Sequence, residues 1–192
     1  MKHFRLYAAL AFTAFFCATA CSQKADKVTT VSADSVKTAG DSAAIAAEKK
    51  KDAEAEKGKL PKPYHPEDDA ELRITEMVSV AKKENKNIIL QAGGNWCIWC
   101  LRFNNFVQTT PELKKTVDDN YLYYHLNYSP ENKNEKIFAR YGNPGDKYGY
   151  PVLLVLDKNG KLIHTQETGA LEEGKGYSVS KVKEFFEKWK PM

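Results

Sequence analysis

Between residues 67 and 85 the apolar positions Ala70, Ile74, Met77, Val78 and Ala81 recur three or four apart, which predicts an amphipathic helix with one buried face. Ile88-Ile89-Leu90 follows without a polar interruption and ends in Gln91-Ala92-Gly93-Gly94, the pattern of a short buried strand leading into a turn. The spacing then predicts a helix from Cys97 to about Val107, another over 111–117 with proline at its start, a strand over 121–127 and a helix over 134–141. Asn143-Pro144-Gly145-Asp146 has the composition of a turn. Residues 152–156 are an apolar strand, Lys158-Asn159-Gly160-Lys161 a hairpin turn, and 162–166 the partner strand. A last helix over 180–189 puts Val182, Phe185, Phe186 and Trp189 on one face. Alternating helices and strands with a terminal hairpin predict an α/β sandwich: a central mixed sheet flanked by helices.

The first 60 residues break with this pattern. Lys2 and Arg5 precede an apolar run over 6–16, and Ala18-Thr19-Ala20 supplies small residues before Cys21, the order of a secretory signal peptide over residues 1–20. The run is too short to span a membrane. Cys21 in this place resembles the acceptor cysteine of a bacterial lipoprotein, with Ala18 standing where leucine is usual. The alternative is plain cleavage that leaves Cys21 a free thiol. A lipidated Cys21 would tether the chain to a membrane without embedding it. Ser22 carries no inner-membrane retention signal of the Asp type, so the resemblance to lipoprotein sorting implies the outer membrane.

Residues 22–60 hold eight lysines against seven acids, and residues 22–63 have no Phe, Tyr or Trp. Such a stretch buries too little to fold by itself and reads as a flexible linker. From residue 43 to 59 its Ala, Glu and Lys favour transient helix but offer no apolar stripe for docking. Lys49-Lys50-Lys51 reads as a solvated face, with attraction to anionic headgroups as the alternative. Leu60-Pro61-Lys62-Pro63 marks a boundary, so the foldable domain is expected over residues 61–192.

Composition narrows the function. The 192 residues are 42% apolar and 28% charged, enough for one domain with a sizeable core. The net charge of +4 falls to +2 once Lys2 and Arg5 leave with the signal, which disfavours a nucleic-acid reader. A monomer is expected, and no nucleotide, flavin or metal site is visible. His65, His125 and His164 are scattered without ligand spacing.

Cys17 departs with the signal and Cys21 is expected to carry lipid, so Cys97 and Cys100 are the remaining pair. Two intervening residues let one helical turn bring both sulfurs within bonding reach. Cys97 falls at the predicted helix N-terminus, where unpaired N–H groups and the dipole favour a thiolate. On this reading Cys97 is the nucleophile and Cys100 the resolving thiol. A static disulfide, or half of a metal site, are the alternatives.

Trp96-Cys97-Ile98-Trp99-Cys100 after a buried strand, Pro151 opening Val152-Leu153-Leu154-Val155-Leu156, and Gly169-Ala170-Leu171 before the last helix together resemble the thioredoxin family, from about residue 67 onward. The resemblance implies a thioredoxin-like sandwich with a cis Tyr150–Pro151 bond facing the cysteines. It further implies that Trp96, Tyr150 and Pro151 bind an extended substrate segment. The bland alternative for Pro151 is a trans proline starting an edge strand. Thioredoxins carry a buried acid six residues before the first cysteine, a position held here by Gln91, which cannot take a proton. Ile98-Trp99 lacks the histidine of strongly oxidising members, which implies the reducing half of a superfamily spanning about −270 to about −120 mV. Trp99 is read as packing, Tyr121, Tyr123, Tyr124 and Tyr128 as core and cross-strand contacts, and Gly93 and Gly94 as a tight turn behind the disulfide. Residues 143–150 are expected to form one wall of the groove. The expected function is a periplasmic, envelope-bound protein disulfide reductase acting on cysteine-containing proteins and recharged by an upstream electron donor. A disulfide oxidase or isomerase, or a lipid-anchored binding module with a structural disulfide, are the alternatives.

Overall fold

The computed structural model describes residues 37–192, with side-chain environments from residue 45. The expected signal peptide 1–20 and the expected lipid acceptor Cys21 lie outside the described residues. Helix α1 spans Lys37–Lys59 and is followed by an extended segment that leads into α2, Ala70–Glu84. Asp69 caps α2, its Oδ1 accepting the N–H groups of Glu71 and Leu72 at 3.0 Å each. Asn85 ends α2 in the left-handed region.

Strand β1 covers Asn87–Gly93, and a short loop leads to α3, Ile98–Thr109. Next come α4, Pro111–Asn120, and β2, Tyr121–Asn127, then α5, Glu135–Arg140, and α6, Pro144–Tyr148. Strands β3, Val152–Leu156, and β4, Leu162–Glu167, form the hairpin; a 3₁₀ turn, Thr168–Leu171, leads to β5, Glu172–Glu173, β6, Gly176–Tyr177, and α7, Val179–Trp189. The main sheet has the order β2-β1-β3-β4, with β1 parallel to β2 and antiparallel to β3, so the expected mixed sheet is present. The resulting architecture is the expected sandwich, a mixed sheet flanked by helices, and residues 42–192 form one compact unit.

The period of two along the strands sorts side chains onto two faces. Ile88, Leu90, Ala92, Val152 and Leu154 pack with Ile74 of α2, whereas Ile89, Leu153 and Val155 pack with Phe103 of α3, Leu113 of α4 and Phe186 of α7. Gln91 shares the second face, which puts a polar amide under the start of α3. This alternation decides where the site's polar groups lie.

One expectation changes in detail. Residues 143–146 were expected as a turn, but Pro144 opens a short helix, because its fixed φ suits the first helical position. Gly149, at φ 71°, ends it. The small β5–β6 hairpin has no sequence signature, since two residues per strand are too few to show a period. The end of α1 touches the domain through charge and not through an apolar stripe: Glu56 accepts from Arg102 Nε at 2.8 Å and Nη2 at 2.6 Å. That pairing holds the Glu56 carboxyl below its ordinary pKa. No helix among the described residues is long and apolar enough to cross a membrane.

Candidate active site

β1 is buried along its whole length and delivers the chain to the start of α3. Cys97 is the N-cap of that helix, in extended conformation, and its Sγ accepts the N–H of Cys100 at 3.1 Å. The sulfur thus takes the place of a capping oxygen, where an otherwise unpaired N–H and the helix dipole favour negative charge. Cys97 and Cys100 form a disulfide with Cα atoms 5.2 Å apart. Cys97 is 7% exposed and Cys100 fully buried, so a partner reaches the first sulfur and not the second.

Facing the disulfide, the Tyr150–Pro151 bond is cis and the Tyr150 carbonyl oxygen lies 3.7 Å from Cys97 Sγ. Trp96 Nε1 donates to the Tyr128 carbonyl at 2.7 Å, and the indole stands edge-on to the Tyr150 ring at 5.6 Å. Tyr150 in turn stacks on Tyr128 at 5.3 Å. Trp96 remains 48% exposed, so this aromatic wall ends in an open apolar surface beside the sulfur. Burial, reinforced by Tyr128 and Asp146, pushes the Tyr150 phenol up to about 12, so it stays neutral. A cavity of about 280 Å³ opens beside Tyr150, with Asn143, Gly145 and Asp146 on one side. The structure therefore brings Trp96, Cys97, Cys100, Tyr150 and Pro151 together.

Trp99 packs against the cluster of Tyr64, Cys97 and Cys100. Its ring meets Tyr177 edge-on at 5.9 Å and lies under the Arg102 guanidinium at 4.8 Å, in keeping with a packing role. Gly93 and Gly94 are required by close approach and not by a turn conformation, because neither has positive φ. A Cβ on Gly93 would lie 2.5 Å from Cys100 Sγ and 2.8 Å from the Tyr64 hydroxyl oxygen, and one on Gly94 would collide with the Trp96 indole.

Behind the disulfide lies a polar cluster that the hydrophobic pattern does not reveal. Gln91 Nε2 donates to the Cys100 carbonyl at 3.0 Å and to the Tyr64 hydroxyl at 2.6 Å, while the Tyr123 hydroxyl donates to Gln91 Oε1 at 2.6 Å. Tyr64 is only 2% exposed and reaches this place from the segment before α2. Its backbone N–H donates to Asn95 Oδ1 at 3.2 Å, and Asn95 Nδ2 donates to its carbonyl at 2.8 Å. His125, paired with Gln91 across β1 and β2, packs edge-on to Tyr64 at 5.1 Å. Its Nε2 is buried and without a partner among the described residues, and burial lowers its pKa to about 4. Sequence reasoning left Tyr64, Asn95 and the site roles of Tyr123 and Tyr128 unassigned. The one available signal for Tyr64 was that it is the first aromatic residue after a stretch with none. Among the described residues no three His, Cys, Asp or Glu side chains come together as a metal-holding group.

Residues 74–175 match the family model of a thioredoxin-like domain. In solved structures the chain is similar to a disulphide isomerase from Xylella fastidiosa Temecula1, with 22% identity and a TM-score of 0.59 over 67% of this chain and 97% of that one. It is also similar to the oxidised C-terminal domain of DsbD from Neisseria meningitidis, with 21% identity and a TM-score of 0.46 over 64% of this chain and 97% of that one. No curated protein matches the chain in sequence.

Proposed function

The chain belongs to the thioredoxin-like family, and from that premise we propose that it is a cell-envelope thiol–disulfide oxidoreductase working as a protein disulfide reductase. The observation that carries this reading is the unequal exposure of the two sulfurs at the N-terminus of α3. Cys97, reachable and capped by a backbone N–H, attacks a substrate disulfide as thiolate; buried Cys100 then attacks Cys97 and releases the reduced substrate. Trp96, Tyr150 and Pro151 hold the substrate segment. The Tyr150 carbonyl, 3.7 Å from Cys97 Sγ, suits pairing with an extended chain. In the oxidised protein the S–S electrons are shared within the pair; an upstream donor of two electrons and two protons restores the dithiol.

The direction of electron flow is inferred from what holds the Cys97 sulfur. Among the described residues its one hydrogen-bond donor is the Cys100 N–H, with no basic side chain added, so the thiolate receives little stabilisation beyond the helix end. Strong oxidants of this superfamily have stabilised reduced forms. The location rests on the sequence alone: the signal-like residues 1–20 support export to the periplasm, and Cys21 supports a lipid anchor in the outer membrane.

The test is the equilibrium redox potential of Cys97–Cys100 in the full chain with Cys17 and Cys21 replaced by serine, read by thiol alkylation across a dithiothreitol series. A potential near about −270 mV is expected. One near about −120 mV would reverse the direction and make the protein a disulfide donor or isomerase. A pair that resists reduction while the fold persists would leave a binding module with a structural disulfide.

A further inference from the structure

The position where the family carries a buried acid is filled by Gln91, so the group that serves Cys100 must be sought elsewhere. The hydrogen-bond directions locate it. A carbonyl oxygen only accepts, so the contact with the Cys100 carbonyl fixes Nε2 of Gln91 on that side and Oε1 toward Tyr123. The second N–H of the amide then points at Tyr64, whose oxygen accepts it. Tyr64 is left with its own proton unassigned in this network, in a pocket closed to water. That hydroxyl and Cys100 Sγ flank the same point, the missing Cβ of Gly93, at 2.8 and 2.5 Å.

We propose that the Tyr64 hydroxyl is the hydrogen-bond donor to Cys100 sulfur in the reduced and mixed-disulfide states, with Gln91 and Asn95 as its positioning residues. The proposal rests on the oxidoreductase reading above and deepens it. In the disulfide shown here the hydroxyl and the sulfur flank Gly93 without bonding. Opening the disulfide frees Cys100 Sγ, which faces the hydroxyl as a thiol and then as a thiolate. When Cys100 attacks Cys97 Sγ, the new S–S bond forms, the bond to the substrate sulfur breaks, and the departing thiolate ends with the proton that Cys100 gave up. Tyr64 keeps its own proton throughout and stabilises the negative charge as it develops on Cys100.

The groups that face this pocket are consistent with a neutral donor. They are Tyr123 and His125 from β2, Tyr177 from β6, and His65 beside Tyr64, which bonds Glu67 at the surface. Burial raises the Tyr64 phenol well above its ordinary value, so it stays protonated and able to donate. Tyr64 lies outside residues 74–175, the extent of the family match, in the segment before α2.

The experiment follows the two thiols separately. The full chain with Cys17→Ser and Cys21→Ser is reduced and loaded at acid pH with dithiobis(nitrobenzoate), releasing one nitrothiobenzoate by attack of Cys97. A stopped-flow jump to higher pH then times the second release, by attack of Cys100. Tyr64→Phe is expected to leave the first release unchanged, slow the second about tenfold near neutrality and raise its pH midpoint by about one unit. Unchanged rate and midpoint of the second release overturn the proposal. Absence of the first release in the parent protein would instead overturn the oxidoreductase reading. If Tyr64→Phe does not fold, 3-fluorotyrosine at position 64, a stronger donor, is expected to lower the midpoint, and no movement overturns the proposal.

Discussion

Tyr64 and Asn95 are joined by two reciprocal hydrogen bonds, backbone N–H to side-chain oxygen at 3.2 Å and side-chain N–H to backbone carbonyl at 2.8 Å. One amide thus ties the segment before α2 to the loop that presents the disulfide. Asn95→Ala removes both bonds and leaves a buried backbone pair unsatisfied. We expect a loss of about 1–3 kcal/mol in urea unfolding, with Asn95→Asp less harmful because it still accepts from the N–H. Equal stability of Asn95→Ala and the parent would mean that the segment is held by the Tyr64 ring alone.

The two sulfurs are expected to fail differently. Cys97→Ser should abolish reduction of a protein disulfide, because no exposed nucleophile remains. Cys100→Ser should accumulate covalent complexes with cysteine-containing proteins, visible on non-reducing gels and released by dithiothreitol. Trapping by Cys97→Ser and not by Cys100→Ser would exchange the assigned roles.

His125 makes stability depend on pH. Its folded pKa of about 4 lies below the ordinary 6.5, so between these values the unfolded chain binds a proton that the folded chain refuses. Stability is full above about pH 6.5 and falls as the pH drops toward 4, by about 2–3 kcal/mol for this residue. His125→Asn should flatten that part of the profile. Midpoints of urea unfolding for both proteins at several pH values check it; parallel profiles would refute the assignment.

Gly93→Ala inserts a methyl group between Cys100 Sγ and the Tyr64 hydroxyl. Overpacking at a buried site costs about 1–3 kcal/mol. The expected result is a lower melting temperature together with an altered redox potential, because the new atom presses on one sulfur. Gly58→Ala, whose Cβ meets nothing, should leave the redox potential unchanged.

Glu56→Ala breaks the ion pair with Arg102, but the carboxylate is substantially exposed, so the cost should stay within about 1 kcal/mol. Arg102→Ala should cost more, since the guanidinium also covers the Trp99 ring. Thermal unfolding of both variants compares them; a larger loss for Glu56→Ala would contradict this ordering.

Much of the scaffold is legible in the sequence. The strands over 121–127 and 152–156 are read at their observed bounds, because β-branched and aromatic residues in short uninterrupted runs have few other folds open to them. The cysteine pair was legible for the same local reason: a spacing of three and a following helix suffice to join the sulfurs and to cap one of them. The site's other half was not. By sequence Tyr128 reads as one of a set of packing tyrosines, yet its ring and carbonyl hold Tyr150 and Trp96 in place.

Local chemistry therefore determined the elements, the alternation of buried and exposed faces, and the reactive pair, since each depends on residues within a few positions of one another. Only the tertiary structure decided what surrounds Cys100. Gln91, Tyr123 and Tyr64 come from two strands and a distant extended segment, and their meeting depends on sheet register and on the Asn95 tie. A glutamine in a buried strand reads as a missing acid; with its neighbours in place it is a clamp that fixes the direction of a tyrosine's hydrogen bond. Hydrogen bonds between residues far apart in the chain leave no period in the sequence, and for that reason the environment of the second sulfur had to be seen in three dimensions.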